Sequence, residues 1–495
     1  MAARCRLVSD ALPRLSYAHL AAVPDQYKPS IDPRDRAIRI VHLGIGAFHR
    51  GHQAYYTELS GDWGICGVTQ RSRNVVNQLE PQNGLYTLVE KDSTEPTLRV
   101  IGAVREVMFA GADYGAVVRR IADPGVAVVT LTVTEKGYRY DPATSALLLD
   151  DPEIAADLAG RRPRTVIGQL AMAIAARAAL YGSPLTVLSC DNVPSNGQLL
   201  AGLVRTFLER TPHAEQTLGW LDAHVTFPGT MVDRIVPATT DADRALAAAS
   251  LKLDDRGTVV AEPFTQWVIE DRFACDRPPW KVAGALMVDD VAPYEKMKIR
   301  LLNGSHSALA YLGGLAGYET IADAISDSSL ADYARRLMKY DVLPTLTMPE
   351  GIDADGYKTS VLDRFANPAL DHRTVQIAMD GSHKLPQRLL GTIRDRRANG
   401  GEPIHATLAV AAWMRHIVDA TAYDGSPFPP DDPLIEIFRE RVSADSTPQR
   451  IVEGLLMRSI FSDLVDDAWF RRRLTDLVGE LGDYAPTDVV RGLVG

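Results

Sequence analysis

The sequence predicts an α/β fold: a doubly wound parallel sheet in the N-terminal part, then a mainly α-helical C-terminal part. Three observations carry this expectation. Strand-length apolar runs alternate with helix-patterned stretches over roughly the first 290 residues. The first of these runs ends in a glycine turn, Gly44-Ile45-Gly46. Beyond about Asp290 β-branched runs become scarce and helical patterns take over. With 495 residues, 46% of them apolar, the chain can bury a sizeable core, which argues against disorder and fibrous repeats.

Taken in order, the first 35 or so residues are punctuated by Pro13, Pro24, Pro29 and Pro33 and read as an irregular lead-in. Ile38–Leu43 is a strand, followed by a helix from about Arg50 to Ser60 and a second apolar run at Trp63–Val68. Leu85–Glu90, Val126–Val133 and Leu185–Cys190 are further strand candidates, and Val166–Tyr181 is an Ala-rich helix. Tyr294–Leu315, Leu330–Tyr340, Ala406–Ala420 and Pro433–Val442 are helical. The boundary falls within Val288–Pro293, giving domains at 1–290 and 291–495. Ligands of doubly wound sheets sit beyond the carboxyl ends of the strands. A helical second domain over that edge predicts an active site in the cleft between the two.

The net charge of −10 and the lack of a long basic run argue against nucleic acid, although a local pocket for an anionic substrate is compatible with an acidic chain. Cys5, Cys66, Cys190 and Cys275 are far apart and form no CxxC pair, and Cys66, Cys190 and Cys275 read as buried small hydrophobes. Arg4 and Arg6 are not followed by an apolar h-region, so no signal peptide is expected. The longest apolar stretches fall short of the ~18 residues that cross a bilayer. The expected place is the cytoplasm, with no membrane partner, as a monomer or small homo-oligomer.

The turn Gly44-Ile45-Gly46-Ala47-Phe48-His49-Arg50 follows a first strand and precedes a helix, where a dinucleotide pyrophosphate rests on helix N–H groups. This makes Gly44, Gly46, Phe48 and Arg50 cofactor-binding candidates on a Rossmann-type domain. His49 stands where the third glycine of GxGxxG belongs, so a tight βα turn without ligand is the alternative. A ribose-binding acid is expected about 20 residues further on, but none occurs between Asp62 and Glu80. Arg71 and Arg73, with Ser72, are placed to accept a 2′-phosphate, favouring NADP over NAD; a solvated loop is the plain alternative. His49 and His52 have metal-ligand spacing but no third ligand, and are expected to be positional.

The second constellation is Lys298, Asn303 and His306. On a helix at ~100° per residue all three share one broad face. A buried lysine can serve as general base, and an asparagine amide stabilises a developing alkoxide without adding charge. Alternatively Asn303-Gly304 is a turn and the lysine is solvated.

Six segments then align with one known pattern: IVHLGIGAFHRGHQAYY (Ile40–Tyr56), LTVTEKGY (Leu131–Tyr138), SCDNVPSNG (Ser189–Gly197), FPGTMVDRIVP (Phe227–Pro237), EPFTQWVIEDR (Glu262–Arg272) and YEKMKIRLLNGSHSALAYLG (Tyr294–Gly313). They resemble the polyol-specific long-chain dehydrogenase/reductase family, which itself uses GxGxF at the glycine turn. The resemblance implies metal-independent hydride transfer between NAD or NADP and a secondary carbinol carbon. It implies Lys298 as general base, Asn192 and Asn303 as the oxyanion hole, His306 as substrate-orienting, Glu295 as proton conduit and Asp233 as a lining residue.

The resemblance divides over substrate. The D-mannitol/D-fructose type is one reading; a fructuronate reductase (D-mannonate oxidoreductase), or another hexuronate or sugar-phosphate member, is the other. Lys136 in TEKGY, Gln376 where mannitol dehydrogenases carry arginine, and Lys384-Leu-Pro-Gln-Arg388 look more like the uronate branch. Lys136 and Lys384 are thereby candidate substrate ligands, although Lys384 is shared by both branches. A non-catalytic dinucleotide-binding regulator is the alternative of another class, and the intact Lys298, Asn303, His306 and Asn192 set speaks against it. A hydrolase is excluded for want of a GxSxG elbow or metal triad.

Overall fold

The computed structural model describes residues 12–92, 94–142, 144–160 and 162–494. Arg4, Cys5 and Arg6 lie outside the described residues. The chain forms two compact units and passes from the first to the second at Ala292–Pro293.

The first unit is built on a six-stranded sheet in the spatial order Val225–Thr226, Leu185–Ser189, Val128–Leu131, Ala37–Leu43, Trp63–Thr69, Val104–Phe109. Every neighbouring pair is parallel. Alternate residues of Ala37–Leu43 serve opposite cores. Val41 and Leu43 pack with Val129, Leu131 and Val187, while Ile40 packs with Ile65, Val128 and Leu188. Burial on both faces is why these strands read as continuous apolar runs. The chain reverses direction across the sheet between Ala37–Leu43 and Val128–Leu131, the switch point beyond which dinucleotides bind.

Several expectations need correction. Tyr86–Glu90 is a strand but lies outside this sheet, pairing with Val259–Ala261 and antiparallel to Thr97–Ile101. The edge strand Val104–Phe109 was not foreseen, because most of its residues are only half-buried and its apolar run is broken by Arg105 and Glu106. The helix after the glycine turn begins at Ala47, not Arg50, and is interrupted at His52 into Ala47–Gly51 and Gln53–Glu58. A third sheet, Thr230–Asp233, Gln266–Glu270 and Leu286–Val288, carries Asp233 at a strand end.

The second unit is helical around one core. Helix Ile404–Asp419 is buried on nearly all sides, with Trp413 at its centre. Ala292–Met297 and Ser305–Leu315 are α-helical, but the seven residues Lys298–Gly304 between them are wound as a π-helix. Leu337–Val342 and Pro386–Leu390 are π segments too. Apolar periodicity near 3.6 cannot reveal such turns, which occur mostly as short insertions and often at functional sites.

Candidate active site

The glycine turn is fixed from both sides. The Gly44 and Ile45 amides donate to the Val68 carbonyl oxygen at 2.8 and 3.2 Å. The Thr132 hydroxyl donates to the Gly44 carbonyl oxygen at 2.9 Å. Gly44 has φ +101°, and a β-carbon there would lie 2.1 Å from the Thr132 carbonyl oxygen, so no side chain is accommodated. Gly46 is exposed and extended, and no side chain caps the helix that starts after it, which leaves its first N–H groups for an anion.

His49, in place of the third glycine, turns inward and stacks on His42 with ring centroids 3.4 Å apart. Burial holds both imidazoles neutral: His42 falls to about 3 and His49 well below its ordinary value. His52 Nε2 meets the Gln266 carbonyl oxygen at 2.9 Å, so the two histidines of the HxxH pair serve different neighbours. Phe48 stacks on His52. The Arg50 guanidinium donates to the Gly257 carbonyl oxygen at 2.7 Å, over the Tyr86 ring. It holds the turn from behind.

A cavity of about 280 Å³ opens where Val133 abuts Gly44, lined by Gln70, Arg71, Tyr114, Arg139 and Arg164 among others. Arg139 is committed to Asp151 and Glu153. Arg73 instead sits over the Phe109 ring at 5.7 Å, so the two arginines expected to act together diverge. Arg164, 93 positions along the chain from Arg71, shares Arg71's cavity. An exposed glycine turn, uncapped amides and an adjoining cavity without an acid at the strand end fit a dinucleotide.

At the neighbouring strand end, the Asp191 carboxylate ties down the loop that carries TEKGY. It accepts the Val133 and Thr134 amides at 3.0 and 2.8 Å and the Tyr138 hydroxyl at 2.7 Å. Burial raises the Asp191 carboxyl above the ordinary range despite these donors. Thr134 is held at φ 66°, ψ 160°, a region that glycine alone adopts without strain. Asn192 follows at the surface, and Lys136 is exposed on the short turn Glu135–Tyr138. Asp191 had escaped sequence reasoning; its only signal was an acid directly after a buried strand and before Asn192. Asp233 is 3% exposed.

In the second unit Lys298 opens the π segment, and Asn303 is five residues on. Residues five apart lie one above the other in a π turn, so Asn303 comes closer to the Lys298 face than an α-helix would allow. Gly304 continues the helix rather than forming a turn. Glu295 lies one helical turn before Lys298, half-buried. His306 stacks on Phe365 at 5.0 Å, and its Nε2 is buried without a hydrogen-bond partner among the described residues. Burial first, then the neighbouring His372 ring and the positive charges of Arg388, Arg364 and Lys384, hold it far below its ordinary pKa, as neutral imidazole. Cys66 and Cys190 are buried, whereas Cys275 is only half-buried and donates to the Ala127 carbonyl oxygen.

Comparison with known proteins matches this geometry. A mannitol dehydrogenase Rossmann domain matches residues 38–282, and a mannitol dehydrogenase C-terminal domain matches residues 290–481. The chain is 43% identical to the D-mannonate oxidoreductase of Escherichia coli over 478 residues, 94% of this chain and 98% of that protein. It is 38% identical to a mannitol 2-dehydrogenase of Pyrenophora tritici-repentis over 84% of this chain and 75% of that one. The mannitol 2-dehydrogenase of Pseudomonas fluorescens, solved as a ternary complex with NAD and D-mannitol, superposes with a TM-score of 0.88 at 36% identity, covering 97% of this chain and 99% of that one. A glycine turn on a six-stranded parallel sheet and a lysine–asparagine π turn in a helical unit thus occur together in a chain that belongs to the mannitol dehydrogenase family of oxidoreductases.

Proposed function

We propose that the chain interconverts a secondary alcohol and a ketone on a sugar-derived substrate, in a reaction of the D-mannitol/D-fructose type coupled to NAD or NADP. The π turn that brings Lys298 and Asn303 onto one face supports this most directly. Gly44, Gly46 and Phe48 hold the dinucleotide, with Arg50 bracing their turn and Arg71 at the adenosine end. The bound nicotinamide supplies the hydride acceptor in oxidation and the donor in reduction. Lys298 takes the hydroxyl proton as the alcohol is oxidised and returns it to the ketone oxygen in the reverse direction. Glu295 passes that proton onward. Asn192 and Asn303 donate amide N–H groups to the developing alkoxide. His306, neutral and with Nε2 unpartnered, binds and orients a substrate hydroxyl. Asp233 lines the substrate, and no step calls for a metal.

A second reading, the D-mannonate/D-fructuronate reaction, uses the same groups and is favoured by the 43% identity to a D-mannonate oxidoreductase. The two substrates differ by one carboxylate. The expected place is the cytoplasm, and the expected state a monomer or small homo-oligomer. Purified protein assayed for NADH and NADPH oxidation with D-fructose, D-fructuronate and D-tagaturonate tests the assignment. Turnover of none of them would overturn it.

A further inference from the structure

One imidazole holds the glycine turn at both of its ends. His42 lies in the strand Ala37–Leu43, on the same face as Ile40, and is fully buried. It stands in register with Thr130 of the neighbouring strand Val128–Leu131. Residues two apart point to one side of a strand, so Thr130 and Thr132 both reach the ring. The Thr130 hydroxyl lies 2.7 Å from Nδ1 and the Thr132 hydroxyl 2.8 Å from Nε2. Against its flat side the ring carries His49, with centroids 3.4 Å apart and the planes 17° from parallel. Gly44, at one end of the turn, and His49, in the first helical turn after it, are thereby tied to the same side chain.

The directions of these bonds follow from the protons available. A threonine hydroxyl has one proton, and that of Thr132 goes to the Gly44 carbonyl oxygen at 2.9 Å. His42 Nε2 therefore donates to Thr132. Burial keeps His42 neutral, with a single ring N–H, so Nδ1 accepts from the Thr130 hydroxyl. The result is a directed chain from Thr130 through His42 and Thr132 to Gly44. The Gly44 carbonyl oxygen also accepts the Gly46 amide at 2.6 Å, which closes a three-residue turn about Ile45. With the opposite tautomer, Nε2 would accept the Thr132 proton and the Gly44 carbonyl would lose that donor. Valine or leucine at position 42 would continue the apolar face begun by Ile40, with no polar atoms to satisfy. The fold has instead placed there a ring that addresses both ends of one turn.

We propose that His42 is a positioning residue for the dinucleotide. As its Nε2–H tautomer it fixes the Gly44 carbonyl through Thr132 and the start of the following helix through His49, so that the backbone between them meets the pyrophosphate already in its binding geometry. This rests on the reading of Gly44, Gly46 and Phe48 as the dinucleotide site. A turn that must first be ordered on binding gives up affinity, and His42 removes that loss in advance.

The test follows NADH and NADPH binding by fluorescence, and steady-state kinetics with D-fructose and D-fructuronate, in the wild type, Thr132→Val, Thr132→Ser, His42→Phe and His42→Gln. Thr132→Val and His42→Phe should each weaken dinucleotide binding on the order of 10-fold, as loss of one hydrogen bond that orders the site implies. KM for the dinucleotide should rise in step, with kcat and KM for the sugar moving less. Thr132→Ser keeps the hydroxyl and His42→Gln keeps an N–H where Nε2 stood, so both should recover most of the affinity. The double variant His42→Phe/Thr132→Val should lose little more than the weaker-binding single, because both cut one chain. Thr132 is half-buried and valine is its isostere, so this arm decides the matter even if a His42 variant does not fold. Unchanged affinity in Thr132→Val, a loss in Thr132→Ser as large as in Thr132→Val, or a loss falling equally on KM for the sugar would overturn the positioning role while leaving the dinucleotide assigned to this turn. A wild-type protein that binds neither NADH nor NADPH would overturn that assignment, and the role of His42 with it.

Discussion

The Asp191 carboxylate accepts the Tyr138 hydroxyl at 2.7 Å and thereby joins two loops at adjacent strand ends, one carrying Lys136 and the other Asn192. The same carboxylate holds the Thr134 amide while that residue is kept at φ 66°. Asp191 is a positioning residue: it braces the backbone next to Asn192 and is not itself assigned a proton-transfer role.

Asp191→Ala should deprive the Val133 and Thr134 amides of their acceptor and leave the Tyr138 hydroxyl only Ser189, costing about 1–3 kcal/mol, and should lower both Tm and kcat. Thr134→Gly should do the reverse for stability. Its backbone strain disappears, and even after the added chain entropy of glycine a gain of about 1 kcal/mol is expected. Thermal unfolding of both variants decides this, and a Thr134→Gly protein with a lower Tm would contradict it.

Lys298→Ala should lower kcat by roughly 10²–10⁴-fold or more, since general-base contributions lie in that range and positioning is lost as well. NADH binding, followed by fluorescence, should survive. Near-normal turnover would remove Lys298 from the mechanism.

Arg71 and Arg164 line one cavity, whereas Arg73 lies over the Phe109 ring. If this cavity receives a 2′-phosphate, Arg71→Ala and Arg164→Ala should each lose NADPH efficiency by on the order of 10-fold or more while retaining most NADH efficiency. Arg73→Ala should change the ratio little. Equal losses with the two cofactors would show that the cavity does not read the 2′ position.

Burial, with the Arg388 charge second, brings the Lys384 ammonium down to about 8, opposed by the more distant Asp380, Asp431 and Asp432. A depressed lysine is charged below that pH and neutral above it. If Lys384 pairs with a substrate carboxylate, the fructuronate-to-fructose ratio of kcat/KM should fall as pH rises through about 8. Taking the ratio cancels any titration of Lys298 common to both substrates. Lys384→Arg, which stays charged, should flatten the profile; a fall that persists in that variant would assign it to another group.

Much of the fold was legible in the amino-acid pattern. Trp63–Thr69 and Leu185–Ser189 are buried throughout and announced themselves as largely apolar runs, and Ala37–Leu43 did so despite Arg39 and His42, because its second half is buried. Helices such as Val166–Leu180 declared their length. Tyr86–Glu90 looked identical to the central strands because burial, and not sheet membership, is what an apolar run encodes. Lys298, Asn303 and His306 were visible as residue types, but the π winding that relates them depends on packing against distant segments. Arg388 and Arg364 were invisible as a pair of site neighbours, since charge in a sequence carries no sign of burial. Arg71 and Arg73 appeared equivalent until Phe109, from a strand that was not foreseen, claimed one of them.

The missing side chain at Gly304 has a consequence for how such an enzyme can change. Any larger residue there must displace the Arg388 backbone, and the two π segments share that contact. The segment that carries Lys298 and Asn303 and the segment that carries Arg388 are consequently one mechanical body. Substitutions that shift the Arg388 backbone are expected to reach Asn303 and Lys298, so a change on either segment is felt on the other. Divergence in this fold is expected to proceed through compensating pairs across that seam, with isolated changes at either side selected against.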